Sequence, residues 1–103
     1  MPNKTTMTAV NSFMVSSNPT TLYGMTVYHK GAADAYLQIH DKSTTPINSD
    51  VPVVSLKIRA NDNFALGYEM KGREFKFGIW VCLSSTQPTL TLGAADITID
   101  AQV

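Results

Sequence analysis

The stretch FKFGIWVCL, residues 75–83, decides the fold class of this 103-residue chain. Its apolar side chains alternate with period two, as expected for an extended strand. One face of that strand holds Phe75, Phe77, Ile79, Val81 and Leu83. The opposite face carries Trp80 and Cys82, so the segment is apolar on both sides. A strand of this kind lies in the middle of a sheet or under other elements. The stretch therefore predicts a covered or central β-strand.

Outward from this strand, the chain consists of short runs rich in β-branched and aromatic residues, separated by Gly, Pro, Asn and Asp. Further strands are predicted over residues 22–29, 35–41, 51–59, 89–92 and 96–103, and residues 64–68 form a short run of ambiguous type. The first has Tyr23, Met25 and Val27 on its inward face, and the last is a one-face strand that buries Ile97 and Ile99. No segment keeps a helical period, and the largest predicted loop spans residues 42–50. These elements predict an all-β protein folded as a single antiparallel β-sandwich.

The N-terminal segment has a different composition from the rest of the chain. Residues 1–21 are rich in Thr, Ser and Asn and contain one apolar cluster, Phe13, Met14 and Val15. Because this cluster is short and polar residues surround it, we predict an extended N-terminal arm over residues 1–21 and a sandwich domain over residues 22–103. The alternative is that the segment pairs as the first edge strand of the domain or stays loose, as many termini do.

Composition and charge restrict the classes of partner. Eight Lys and Arg balance eight Asp and Glu, and Ser and Thr together make up 20 residues, so the predicted surface is neutral and rich in hydroxyl groups. A protein that binds nucleic acid needs clustered cations to displace counterions, so no nucleic-acid partner is expected. The chain contains no apolar run long enough for a signal peptide or a membrane span, so no membrane partner is expected either.

The residue types that carry chemistry are few and scattered. Cys82 lies in the most apolar run, which favours a buried structural thiol over a nucleophile. His29 and His40 close two predicted strands and would be neighbours if those strands paired, but two ligands without a third rarely hold a metal. Asp96 and Asp100 share the outward face of the last strand at a separation of about 13 Å, too far apart to act as one catalytic pair. We predict no catalytic site, no metal site and no cofactor.

A resemblance adds to these inferences. Four segments in this order, LYGMTVYHKGAADAYLQIHD (22–41), VPVVSLKIRA (51–60), FKFGIWVCLSST (75–86) and ADITIDAQV (95–103), resemble small β-domain proteins encoded among the virion genes of tailed bacteriophages. The resemblance is one of strands and turns and extends over residues 22–103. It implies a jelly-roll-like sandwich, assembly as a homotrimer, and a capsid decoration or cement protein that binds the major capsid protein. Synthesis in the host cytoplasm and a final place on the capsid surface follow from that role.

The resemblance does not identify interface residues, because no contact motif is matched. Tyrosines that alternate along strands are typical of a core margin or a subunit interface. The interface candidates are Phe13, Met14, Val15, Tyr28 and Tyr36. The alternative function is a host-surface or glycan-binding module of a head or tail fibre, in which an exposed Tyr or Trp would stack on a sugar. A small hydrolase is a third reading that no residue spacing suggests.

Overall fold

The structure is a computed structural model that describes residues 3–6, 8–68 and 70–103. These residues form ten strands and no helix. The strands are β1 (Asn3–Thr5), β2 (Ser12–Ser16), β3 (Thr20–Leu22), β4 (Gly24–His29), β5 (Ala35–His40), β6 (Val54–Ile58), β7 (Asp62–Gly67), β8 (Arg73–Phe75), β9 (Ile79–Ser84) and β10 (Ile97–Gln102).

Eight of these strands form two four-stranded antiparallel sheets. Sheet A has the order β1-β10-β4-β7, and sheet B has the order β2-β9-β5-β6. Strands β3 and β8 form a separate two-stranded antiparallel pair. In the two orders, strands that are consecutive in the chain hold the same rank: β1 and β2, β10 and β9, β4 and β5, and β7 and β6.

The two sheets enclose one hydrophobic core. Alternation along each strand turns one set of side chains inward, so that Ile99 of sheet A and Val81 of sheet B belong to the same buried cluster. The core also contains Met25, Val27, Leu37, Ile39, Ile58, Ile79, Leu83, Ile97 and Ala101. The prediction of an all-β antiparallel sandwich is confirmed, and so are the inward faces predicted for Met25, Val27, Ile97 and Ile99.

The extended arm predicted over residues 1–21 is not confirmed. Strand β1 pairs with β10, strand β2 pairs with β9, and Val10 forms a bridge with Ile97. Val15 is buried in the common core, and Phe13 packs against it. The segment thus provides an edge strand to each sheet, which is the alternative that the sequence left open. Edge strands tolerate many polar residues because one of their sides faces solvent.

The run over residues 75–83 is two strands instead of one. Strand β8 ends at Phe75 and β9 begins at Ile79. Between them, the carboxylate of Asp41 accepts hydrogen bonds from the backbone N–H groups of Lys76 (3.0 Å), Phe77 (2.8 Å) and Gly78 (3.4 Å). Phe77, predicted to point inward, is 61% exposed because it lies in this capped turn. The rest of the prediction is confirmed, since β9 lies between β2 and β5 and is buried on both faces.

Residues 89–92 do not form the predicted strand. They belong to the long connection between β9 and β10, and their ladder contact is a single bridge between Ser84 and Leu92. Leu90 is nevertheless buried, because this connection folds back over the outward face of sheet B. An alternating apolar pattern also arises where a loop packs one set of its side chains against a sheet. This explains why the sequence predicted a strand over residues 89–92.

Candidate functional site

A buried polar layer covers the outward face of sheet B. The side-chain amide of Gln38, on β5, donates hydrogen bonds to the carbonyl oxygens of Thr86 (3.0 Å), Gln87 (3.1 Å) and Thr89 (3.2 Å). The hydroxyl of Ser84 donates to Thr86 O at 2.7 Å and accepts from the backbone N–H of Thr91 at 3.0 Å. These bonds hold the β9–β10 connection against the sheet, because each would leave a buried polar group unpaired if it were lost.

The loop between β5 and β6 joins the same cover. Leu90 N–H donates to Asp50 O at 2.8 Å, and Ser49 N–H donates to Leu90 O at 2.8 Å. The ammonium group of Lys42 lies 2.7 Å from the Asp50 carboxylate. This contact, with the N–H of Ile47, lowers the pKa of Asp50. The two long connections therefore bind each other as well as the sheet.

Cys82 lies beneath this cover and has no accessible surface. Burial raises the pKa of its thiol to about 12, so the group remains protonated at neutral pH. A protonated, enclosed thiol is a weak nucleophile and a poor metal ligand. The structure thus agrees with the interpretation of Cys82 as a structural side chain.

His40 lies in the same layer, opposite Trp80 across the β5–β9 ladder. Its Nε2–H donates to Oε1 of Gln38 at 3.2 Å, in the tautomer that the amide network requires. The other ring nitrogen, Nδ1, has no hydrogen-bond partner among the described residues. Burial lowers the pKa of His40, and the nearby Asp50 carboxylate opposes that shift only in part. His40 is therefore a neutral, buried imidazole.

The buried state of His40 predicts a loss of stability in mild acid. The unfolded chain takes up a proton near pH 6.5, whereas the folded chain holds His40 neutral to a lower pH, so stability is complete above pH 6.5 and falls below it. We expect the free energy of unfolding to fall as the pH drops below 6.5, with a slope of at most about 1.4 kcal/mol per pH unit. Urea titrations of wild type and His40→Gln measure this, and the variant should show a flatter profile. An equal slope in both proteins would assign the effect to other groups.

Both ring nitrogens of His29 form hydrogen bonds with the backbone of the turn that follows β4. Its Nε2–H donates to Ala33 O at 2.8 Å, and its Nδ1 accepts from the N–H of Gly31 at 3.4 Å. A Cβ at Gly31 would lie 2.5 Å from the His29 ring and 2.7 Å from the Asp96 carboxylate, so a larger residue there would displace the His29 ring and the Asp96 side chain. His29 and His40 belong to different sheets and are not neighbours. Within the described ranges, no three His, Cys, Asp or Glu side chains gather to hold a metal ion.

The outward face of sheet A is open and forms a shallow groove of about 550 Å³. Its lining combines apolar atoms, among them those of Val27 and Ile99, with hydroxyl, amide, carboxylate and phenol side chains. We call these side chains the hydroxyl face: Thr5, Thr6, Thr26, Tyr28, Asn63, Thr98 and Asp100. Apart from Thr6, which directly follows β1, they come from four strands that are distant in sequence, and only the antiparallel register brings them together. The sequence pattern predicted Tyr28 as an interface residue and an outward position for Asp100. It did not predict the groove.

Six of the exposed large apolar side chains belong to sheet B or to the connections that contact it. We call this set, which comprises Met14 of β2 and residues in the connections around sheet B, the apolar side: Met14, Ile47, Val51, Val53, Phe77 and Leu92. Ile47 and Val51 are 66% and 72% exposed, although both belong to the loop that covers the buried polar layer. The molecule therefore has one hydroxyl-rich face and one apolar side.

The predicted interface candidates do not form one cluster. Val15 is in the core, and Phe13 is half-buried against it. Met14 points outward from sheet B, as does the half-buried Tyr36, whose ladder partners are Lys57 and Ser84. Tyr28 is on the hydroxyl face of sheet A, on the far side of the sandwich. The structure thus leaves Met14 and Tyr28 as the exposed members of the predicted set.

Comparison of the chain with protein-family models, with curated proteins and with solved structures finds no match. None of the described residues belongs to a helix of the length and apolarity needed to span a membrane.

Proposed function

We propose that this chain is a structural protein of a bacteriophage virion, a capsid decoration or cement protein that binds the head exterior as a homotrimer and stabilises it. The observation that carries the proposal is the apolar side. Large apolar side chains are expensive to leave in water, and a concentration of them on one side of a small domain marks a contact surface. We assign this surface to contacts between copies of the chain.

The charge balance supports association of like copies. Eight cationic and eight anionic side chains leave no net charge at neutral pH, so two copies meet without long-range repulsion. Near the apolar side, Lys42 and Asp50 neutralise each other within one chain. Desolvation of this region therefore removes mostly apolar surface and an already paired ion pair.

The strand order supports a virion role at the level of architecture. We propose that the alternation of consecutive strands between β1-β10-β4-β7 and β2-β9-β5-β6 is a jelly roll, with the β3–β8 pair added at one margin. Jelly rolls are common in viral capsid domains, and they also serve other functions. The architecture is therefore compatible with the proposal. The more specific support for a capsid-binding role comes from the apolar side and from the resemblance over residues 22–103.

Light scattering after size exclusion tests the homotrimer. We expect a species of about 34 kDa, three times the 11.2 kDa chain, that persists over a tenfold dilution. Replacement of Ile47 and Val51 by Asp should reduce the mass toward that of a monomer, because charges would then enter the contact. The matched control is Met70→Asp, since Met70 is 95% exposed but lies in the β7–β8 connection. A wild-type monomer at every concentration would contradict the homotrimer.

Co-sedimentation with head particles tests the virion role. The probe is the DNA-filled head of the phage whose genome encodes the chain, stripped of loosely bound proteins. We expect saturable binding by the wild-type protein and greater resistance of decorated heads to heat. The double variant should bind with much lower occupancy, because a trimer gains avidity from several simultaneous contacts. Failure of a stable wild-type trimer to bind these heads would overturn the decoration proposal.

A further inference from the structure

The hydroxyl face has the geometry of a binding groove and lies away from the apolar side. Asp100 lies between Thr5 and Thr26 across the ladders, and Tyr28 lies between Thr98 and Asn63 in the next row. Cross-strand neighbours of this kind are about 5 Å apart, and the two rows are separated by about 7 Å. The groove of about 550 Å³ is therefore lined by a regular array of hydrogen-bonding groups.

Asp100 is the polar centre of this array. Its Oδ1 atom is buried and has no hydrogen-bond partner among the described residues. A buried carboxylate oxygen without a donor carries a free-energy cost. The Asp100 side chain as a whole is partly exposed and lines the groove, so a ligand hydroxyl approaches the carboxylate from that side. Tyr28 supplies the complementary feature, because its ring is 43% exposed at the groove and offers a flat apolar surface.

The chemistry of the lining distinguishes between classes of ligand. Among the residues that the structure describes, no Lys or Arg lines the groove and the one charged side chain is Asp100, so phosphates and other anions are disfavoured. One carboxylate among neutral hydroxyls is too few ligands for a metal ion. A purely apolar ligand would desolvate the threonine hydroxyls and Asn63 without replacing their hydrogen bonds. A neutral ligand with many hydroxyl groups and one apolar face meets each of these requirements.

We infer that the hydroxyl face binds a neutral saccharide, with a sugar ring stacked on Tyr28 and sugar hydroxyls donating to Asp100. The threonine hydroxyls and the Asn63 amide can both donate and accept, which suits the mixed character of sugar hydroxyls. The groove is open along its length, so a terminal or extended oligosaccharide fits it better than an enclosed small molecule does. This inference goes beyond the virion role and does not depend on it.

A glycan array of neutral mono- and oligosaccharides, probed with the isolated protein, is the first test. We expect saturable binding to a subset of neutral glycans. Tyr28→Ala should weaken that binding at least tenfold, whereas Tyr28→Phe should retain it, because stacking needs the ring and not the phenol oxygen. Asp100→Asn should also weaken binding, because the amide nitrogen replaces an acceptor by a donor. The matched control is Tyr36→Ala on sheet B, which should bind as wild type does.

Amide chemical shifts provide the second test and confirm that each variant is folded. Titration with the best neutral disaccharide from the array should shift the amides of β4, β10 and the start of β7, and leave those of β5 and β6 in place. Absence of any binding at millimolar glycan, shifts confined to sheet B, or equal binding by Tyr28→Ala would each overturn the inference. Because no head particle is present, these outcomes are independent of the test of the decoration role.

Discussion

A chain that begins at Asn18 is expected not to fold. Deletion of residues 1–17 removes β1 and β2, and with them the terminal strand at one edge of each sheet. It also removes the buried side chain of Val15 and the half-buried Val10 and Phe13, and it uncovers the core beneath them. Burial of one such side chain contributes about 1.5–3 kcal/mol, so the total loss approaches the 5–15 kcal/mol that stabilises a typical domain. Circular dichroism and thermal unfolding should show no cooperative transition.

A shorter deletion serves as the matched control for this experiment. Removal of residues 1–5 eliminates β1, whose three residues are all exposed, and leaves Val10, Phe13 and Val15 in place. This variant should keep a cooperative transition at a modestly lower temperature. If the chain that begins at Asn18 also unfolded cooperatively near the wild-type temperature, residues 1–17 would be an arm that is dispensable for folding.

The sequence predicted those strands that bury one face and expose the other. In β10 and β4, inward Ile97, Ile99, Met25 and Val27 alternate with polar residues, and this pattern has period two because successive side chains of a strand point to opposite faces. Strand β2 lacks a clear pattern, because its outward residue Met14 is apolar like its inward neighbours Phe13 and Val15. The regular pairing also ends at the register shift between Met14 and Ser16. A short edge strand with these features is difficult to distinguish from an extended arm by sequence pattern.

The hydroxyl face and the apolar side could not be predicted from the periodicity of the sequence, for a different reason. The hydroxyl face combines Thr5, Thr26 and Asp100, which lie in one row only because β10 pairs with β1 on one side and with β4 on the other. Strand order is a tertiary property that alternation within a strand does not encode. Likewise, the exposure of Ile47 and Val51 depends on how their loop is held by Leu90 and Asp50. The sequence identified Tyr28 as a surface candidate but could not supply its neighbours.

Substitution of Gly78 by Ala is expected to cause the largest loss of stability of any single methyl addition at the described glycines. Gly78 is buried in the turn immediately before β9, where a Cβ would lie 2.5 Å from the carbonyl oxygen of Lys42 and 2.6 Å from that of Ser16. Both obstacles are backbone atoms, so neither can move by a change of rotamer. Displacement of the Lys42 backbone would also strain the adjacent cap in which Asp41 accepts from Phe77 N–H at 2.8 Å. Overpacking of this kind costs about 1–3 kcal/mol, and we expect the upper end of that range.

Gly67→Ala is the matched control, because nothing lies within 4 Å of a Cβ at that position, near the exposed end of β7. Alanine restricts the unfolded chain more than glycine does, so this variant should be as stable as wild type or more stable by up to about 1 kcal/mol. The changes in melting temperature of the two variants relative to wild type should therefore differ in sign, with Gly78→Ala melting roughly 10–20 °C below wild type. Equal melting temperatures would show that the Ser16 and Lys42 backbones yield easily, and that β2 and the β5–β6 loop are less firmly fixed to β9 than their contacts indicate.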